Sequence, residues 1–80
     1  IVIHISNFSF QPKELRIPVG AKVIWKNEDS VAHTVTSDTG VFESGFLEKD
    51  ETFEFTFNKT GVFTYHCRPH PNMKATIIVE

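Results

Sequence analysis

Cys67, His70 and Met73 stand at three-residue intervals in the stretch Tyr65-His66-Cys67-Arg68-Pro69-His70-Pro71-Asn72-Met73. A compact turn can gather a thiolate, an imidazole and a thioether at that spacing around one point, and Pro69 and Pro71 stiffen the backbone for it. His33 is a fourth candidate. It opens a predicted strand that a Greek-key arrangement can lay beside the strand ending at Cys67. Two imidazoles and a thiolate in a trigonal plane, with a weak axial thioether, describe a blue-copper electron-transfer centre. Zinc is the competing metal. Its tetrahedral sites draw on Cys, His and carboxylates, so Met73 counts against a structural zinc site and leaves adventitious zinc binding open.

Each of these residues taken singly has a bland explanation. Cys67 is then a small buried hydrophobe, Met73 a gap-filler in the core, and the two histidines ordinary polar residues. The bland account weakens when it must hold for all four at once. Two prolines flanking His70 do not serve a core strand, and Cys67 ends a strand instead of occupying its middle. The other histidines are assigned no role in the site. His66 neighbours Cys67 on a strand and therefore points to the opposite face, and His4 lies on the polar side of the first strand.

The elements that must position these groups are strands. Period-two alternation dominates, and no stretch keeps apolar residues at helical spacing for several turns. Thr52-Phe53-Glu54-Phe55-Thr56-Phe57-Asn58 puts three phenylalanines on one face and polar residues on the other, as in a strand with one buried side. The same logic predicts about seven short strands, roughly over 1–6, 13–17, 21–27, 33–37, 51–58, 61–67 and 74–80. Pro, Gly, Asn and Asp clusters separate them. Regular spacing with turns between predicts an all-β Greek-key sandwich, with 1–80 a single domain. The stretch 38–50 holds Val41, Phe42, Phe46 and Leu47, too apolar for a free linker, and should pack across one edge of the sandwich.

Composition narrows the class further. Eight basic against ten acidic residues give a net charge of −2, which lacks the basic excess of nucleic-acid-binding domains. Apolar runs such as Ile77-Ile78-Val79 are far short of the roughly 20 residues that span a bilayer. A chain of 80 residues has a thin margin of core stability, and its single cysteine excludes an internal disulfide. Metal, a partner or good packing must supply the difference. The chain opens at Ile1 without a basic or apolar leader, so any targeting signal is expected to have been removed or to lie outside these residues.

The chain resembles the cupredoxins, the type 1 blue copper proteins, of the plastocyanin, pseudoazurin and amicyanin group. The resemblance runs through Val19-Gly20-Ala21-Lys22-Val23-Ile24-Trp25-Lys26-Asn27, His33-Thr34-Val35-Thr36, Thr52-Phe53-Glu54-Phe55 and Gly61 to Met73. The short Cys-x-x-His-x-x-Met spacing is most similar to the ligand loop of amicyanin. The resemblance implies His33, Cys67 and His70 as equatorial copper ligands and Met73 as the axial one. It also implies a monomer that passes single electrons through a Cu(I)/Cu(II) site between transient redox partner proteins. Those partners would dock where the edge of His70 reaches the surface through Pro69, Pro71 and Asn72. Copper and cysteine usage together favour the periplasm or another exported setting. Three positions depart from the family pattern: Thr34 stands where Asn or Ser is frequent, Ala32 where Pro or Gly is, and Ala75 where Gly often follows the loop. The hydrogen bond between the ligand segments must then come from a hydroxyl or be lost.

Other functions fit less well. A Cys67–His66 nucleophilic dyad fails because the two side chains face apart, and Cys67–His70 has no identifiable third group to orient it. A multicopper oxidase needs His-x-His pairs, and an immunoglobulin-like module needs a Cys…Trp…Cys framework. A copper carrier or store without a redox partner is the alternative that the residues leave open.

Overall fold

The computed structural model describes all 80 residues, Ile1–Glu80. Eight strands form it: β1 (Val2–Ser6), β2 (Ser9–Gln11), β3 (Glu14–Ile17), β4 (Lys22–Asn27), β5 (Thr36–Ser37), β6 (Thr52–Thr56), β7 (Gly61–Cys67) and β8 (His70–Val79). They make two four-stranded sheets, ordered β2-β1-β4-β6 and β3-β8-β7-β5. The chain changes sheet at every connection from β2 to β7. Those crossings leave two parallel neighbours, β1 with β4 and β3 with β8, among otherwise antiparallel pairs.

Alternation decides what each strand buries. In β4, Val23, Trp25 and Asn27 are buried while Lys22 is exposed and Ile24 and Lys26 lie half-buried on the outer face. In β8, Met73, Ala75, Ile77 and Val79 point inward, and in β7 Tyr65 and Cys67 do. The two inner faces meet in one cluster of 16 buried residues that includes Ile3, Ile5, Trp25, Tyr65 and Ile77. Trp25 is its centre. Its ring lies within 5.7 Å of those of Phe42, Phe53 and Tyr65, and its indole N–H donates to the Tyr65 hydroxyl at 3.1 Å. Burial pushes the Tyr65 phenol well above its ordinary value, so this oxygen stays neutral and accepts from the indole.

Four expectations need correction. There are eight strands, because β2 pairs back on β1 through a turn of only two residues, Asn7 and Phe8. Asn-Phe lacks the glycine that usually signals such a hairpin, so the sequence concealed it. The strand at 33–37 shrinks to Thr36 and Ser37, with His33 held in a lone bridge to Leu47. The strand at 51–58 ends at Thr56, although Phe57 stays buried and its backbone bonds to Gly20 and Ala21. Finally, β8 starts at His70 instead of residue 74, so most of the supposed ligand loop is strand. The stretch 38–50 does pack along an edge, bridging Thr36 and His33 through Glu43 and Leu47. Of its four apolar residues only Phe42 and Leu47 enter the core, whereas Val41 and Phe46 are exposed.

Two predictions follow from this packing. Tyr65→Phe leaves the Trp25 N–H buried without an acceptor and should cost about 1–3 kcal/mol in urea unfolding of the metal-free protein; wild-type stability would show that the bond contributes nothing. Asp38 and Glu43 contribute to the acid limb. Hydrogen bonds from Thr64 and His66 hold Asp38 below its ordinary 3.8. Burial opposes ionisation of Glu43, but the Gly45 amide, the Thr36 hydroxyl and Arg68 outweigh it and hold that group below 4.5. Both are more acidic folded than unfolded, so their contribution is complete above the ordinary values and is lost as pH falls through the lowered ones. The thermal midpoint of the metal-free protein should therefore drop in that acid range, and an Asp38→Asn, Glu43→Gln double variant should show a flatter acid limb.

Candidate metal centre

Cys67 closes β7 and His70 opens β8, and the two residues face each other across a turn made of Arg68 and Pro69. A bulge between His66 and Cys67 breaks the register there. Cys67 shares the inward face of β7 with Tyr65, so its thiol points into the sandwich. Cys67 is fully buried, and its sulfur lies 3.5 Å from His70 Nδ1 and 3.5 Å from His33 Nδ1. The three donor atoms are all within 4.8 Å of one another. Those separations fit a first-row metal ion. Bonds of about 2.0 Å to nitrogen and about 2.3 Å to sulfur, at angles of about 110°, put the sulfur about 3.5 Å from each nitrogen.

His33 is fully buried, and a polar loop holds it there. Asn27, equally buried, anchors that loop with its whole amide. Its Nδ2 donates to the carbonyls of Val31 and Leu47 at 3.0 and 2.8 Å, and its Oδ1 accepts from the Asp29 amide at 2.9 Å. The bridge to Leu47, bonded in both directions, fixes the His33 backbone. His33 Nε2 then meets the Asp29 carboxylate at 2.8 Å. A carboxylate can only accept, so Nε2 carries the proton and Nδ1 presents its lone pair to the site. Burial opposes ionisation of Asp29, but hydrogen bonds from the Phe8 amide, His33 and the Asn7 amide outweigh it and hold the carboxyl below its ordinary value.

Thr34 joins the two ligand segments. Its amide donates to Cys67 Sγ at 3.4 Å, and its hydroxyl accepts from the Arg68 amide at 2.8 Å. The interloop bond expected from a hydroxyl or lost is thus made by the hydroxyl. The sulfur's backbone donor comes from the His33 segment. A donor at that sulfur stabilises the thiolate and lowers its electron donation to a metal.

The remaining candidates fall where their strand positions put them. Met73 is buried at 6% exposure on β8 and, with Phe8, His70, Pro71 and Asn72, lines a shallow depression at the surface. His66 faces away from the thiol and pairs with Asp38, and His4 pairs with Glu28 on the outer face of β1. Arg68 is half-exposed, paired with Glu43 and lying over the Phe46 ring. Sequence reasoning missed Asn27, Asp29 and Phe8. The signal that could have found two of them is local: an Asn followed two positions later by Asp is the pattern of a side-chain-capped turn, and Asp29 precedes His33 by four.

The family of copper binding proteins described as plastocyanin/azurin matches the chain over residues 1–80. Amicyanin of Paracoccus denitrificans is 32% identical over 85 aligned residues, covering all of this chain, which spans 65% of that protein's length. Amicyanin-alpha of Methylorubrum extorquens is 36% identical and covers 98% of the chain and 70% of its own length. Among solved structures, the Cu(I) form of an amicyanin mutant superposes with a TM-score of 0.95 at 32% identity, covering all of this chain and 81% of that one. A match along every residue, on a chain whose one thiol and two imidazoles already converge, settles the family: the chain belongs to the plastocyanin/azurin family of copper binding proteins, an all-β cupredoxin similar to amicyanin, with copper as its cofactor.

Proposed function

We propose that the protein is a small single-electron carrier in which His33, Cys67 and His70 would hold copper, with Met73 as the fourth candidate ligand. Residues 1–80 form one copper-binding domain on this reading, acting as a monomer, without enzymatic activity, in the periplasm or a comparable exported compartment. The observation that carries the reading is the convergent donor set: two imidazole Nδ1 atoms at 3.5 Å from one fully buried thiol. Bound copper supplies the one-electron Cu(I)/Cu(II) couple. The chain's own groups do the rest. Cys67 provides the soft, covalent donor, and the Thr34 amide tempers its charge. Asp29 fixes His33, and the buried surroundings keep water away from the sulfur. A donor set held by the fold moves little between oxidation states, which keeps reorganisation small.

His70 differs from His33 in being only partly buried, beside exposed Pro69, Pro71 and Asn72. Transient redox partners would dock there, with the imidazole edge as the short path to the metal. No helix is long and apolar enough to cross a membrane.

Adding one equivalent of Cu(II) should give an intense blue or green thiolate-to-copper band, and Cys67→Ser should abolish it. Weak d–d absorption alone would show that the thiolate does not bind the copper as a strong donor and would sink the proposal. The loaded wild type should also exchange electrons rapidly with itself. Slow exchange together with ready surrender of copper to a chelator would point to a carrier or store. His70→Ala, refolded and copper-loaded, should exchange electrons far more slowly than wild type with any partner; an unchanged rate would remove His70 as the port.

A further inference from the structure

We propose that Phe8 is a positioning residue for the metal centre, pressed against both imidazoles by the Asp29 carboxylate, which ties the β1–β2 turn to His33. The inference rests on the ligand set proposed above and adds to it the group that orients His70.

Three observations carry it. The first is backbone strain. Asn7 and Phe8 are consecutive non-glycine residues with φ of 54° and 57°. A two-residue hairpin needs that geometry, yet Asn-Gly supplies it at far less cost than a residue with a bulky side chain. Phe8 is also 50% exposed, so burial of its ring does not explain its presence. Strain of this kind persists where surrounding contacts over-determine it, and such sites cluster at functional centres.

The second observation is what over-determines it. Asp29 accepts from the Asn7 amide at 2.8 Å through Oδ1 and from the Phe8 amide at 2.9 Å through Oδ2, and the same Oδ2 accepts from His33 Nε2 at 2.8 Å. One carboxylate thus binds the strained turn and one ligand together.

The third is where the ring goes. Phe8 packs edge-to-face against His33, with centroids 5.3 Å apart at 90°, and against His70, 5.0 Å apart at 86°. The two imidazoles are themselves 5.1 Å apart, so a single phenyl ring braces both. They need it unequally. His33 has Asp29 to fix its orientation, whereas the sole hydrogen-bond partner of the His70 ring is Cys67. The Phe8 ring gives His70 an aromatic contact in place of a carboxylate.

Phe8→Gly separates brace from scaffold, because glycine accepts the positive φ without strain and removes only the ring. The metal-free variant should unfold no earlier than wild type, and Asn7 and residue 8 should keep their slow amide exchange. The His70 side chain should nevertheless average over rotamers in NMR couplings where wild type holds one. In the Cu(I) protein, transfer of copper to the chelator bathocuproine should be about tenfold faster, the scale set by two edge-to-face contacts. Phe8→Tyr, which keeps the ring, should restore both readouts. Wild-type His70 rotamers and a wild-type transfer rate in Phe8→Gly would overturn the proposal, as would failure of Phe8→Tyr to restore them. A wild-type protein that gives no thiolate-to-copper band fails the electron-carrier reading instead, and the metal-free couplings then decide the role of Phe8 by themselves.

Discussion

The metal centre depends on Thr34, the residue that holds two distant segments together where the sheet no longer does. The β5–β7 ladder has only two pairs, and the last of them, Thr36 with His66, stops one residue short of Cys67. Beyond that point no further ladder pairs hold the strands, and the gap is where His33 and Cys67 turn their side chains toward each other. The Thr34 amide on Cys67 Sγ and the Thr34 hydroxyl on the Arg68 amide replace the missing rungs. A continued ladder would hold the backbones at about 4.8 Å and commit their polar groups to each other. Ending it early frees the Thr34 N–H to face the sulfur. The ligands and their clamp are thus products of the same interruption.

Burying such a site requires that every polar group in it have a partner. Asn27, His33 and Thr34 are fully buried, and no buried side-chain nitrogen or oxygen in the molecule lacks a hydrogen bond. The Asn27 side chain alone makes three, donating to the Val31 and Leu47 carbonyls and accepting from the Asp29 amide. Polar satisfaction here is the condition for a dry site, and a dry site is what keeps a thiolate's electrostatics undiluted by water.

Much of this was legible in the sequence, for identifiable reasons. Strands with one buried face announce themselves by alternation, so the frame of β1, β4, β6 and β7 was readable from Ile3 and Ile5, Val23 and Trp25, Phe53 and Phe55, Tyr65 and Cys67. The donor types and their spacing likewise pointed to one soft metal site. What escaped was whatever depends on long-range contacts. The β1–β2 hairpin was invisible because its turn is Asn-Phe, stabilised by a carboxylate some twenty residues away. β8 reaches back to His70 because His70 pairs with Cys67 across the turn, although residues 71–73 have no partner in β7. Asn27 and Asp29 resemble ordinary turn residues, and only the fold shows what their side chains hold.

The two histidines illustrate how one site meets two opposed demands. An electron carrier needs its ligands fixed, which favours burial and hydrogen bonding, yet it needs one ligand near the surface, which works against both. The structure divides the demands between His33 and His70. His33 is wholly buried, oriented by Asp29 and bridged in both directions to Leu47, so its Nδ1 has one position available. His70 opens a strand at the rim and takes its orientation from a two-residue turn and from packing. A carboxylate on its outer nitrogen would fix it as firmly, but would put a charge and an ordered partner on the face proposed to meet a redox partner. Apolar contact fixes the ring without that charge. Its energy per contact is small, and it becomes sufficient because the rest of the constellation, from Asn27 through Asp29 to Thr34, has already been made rigid.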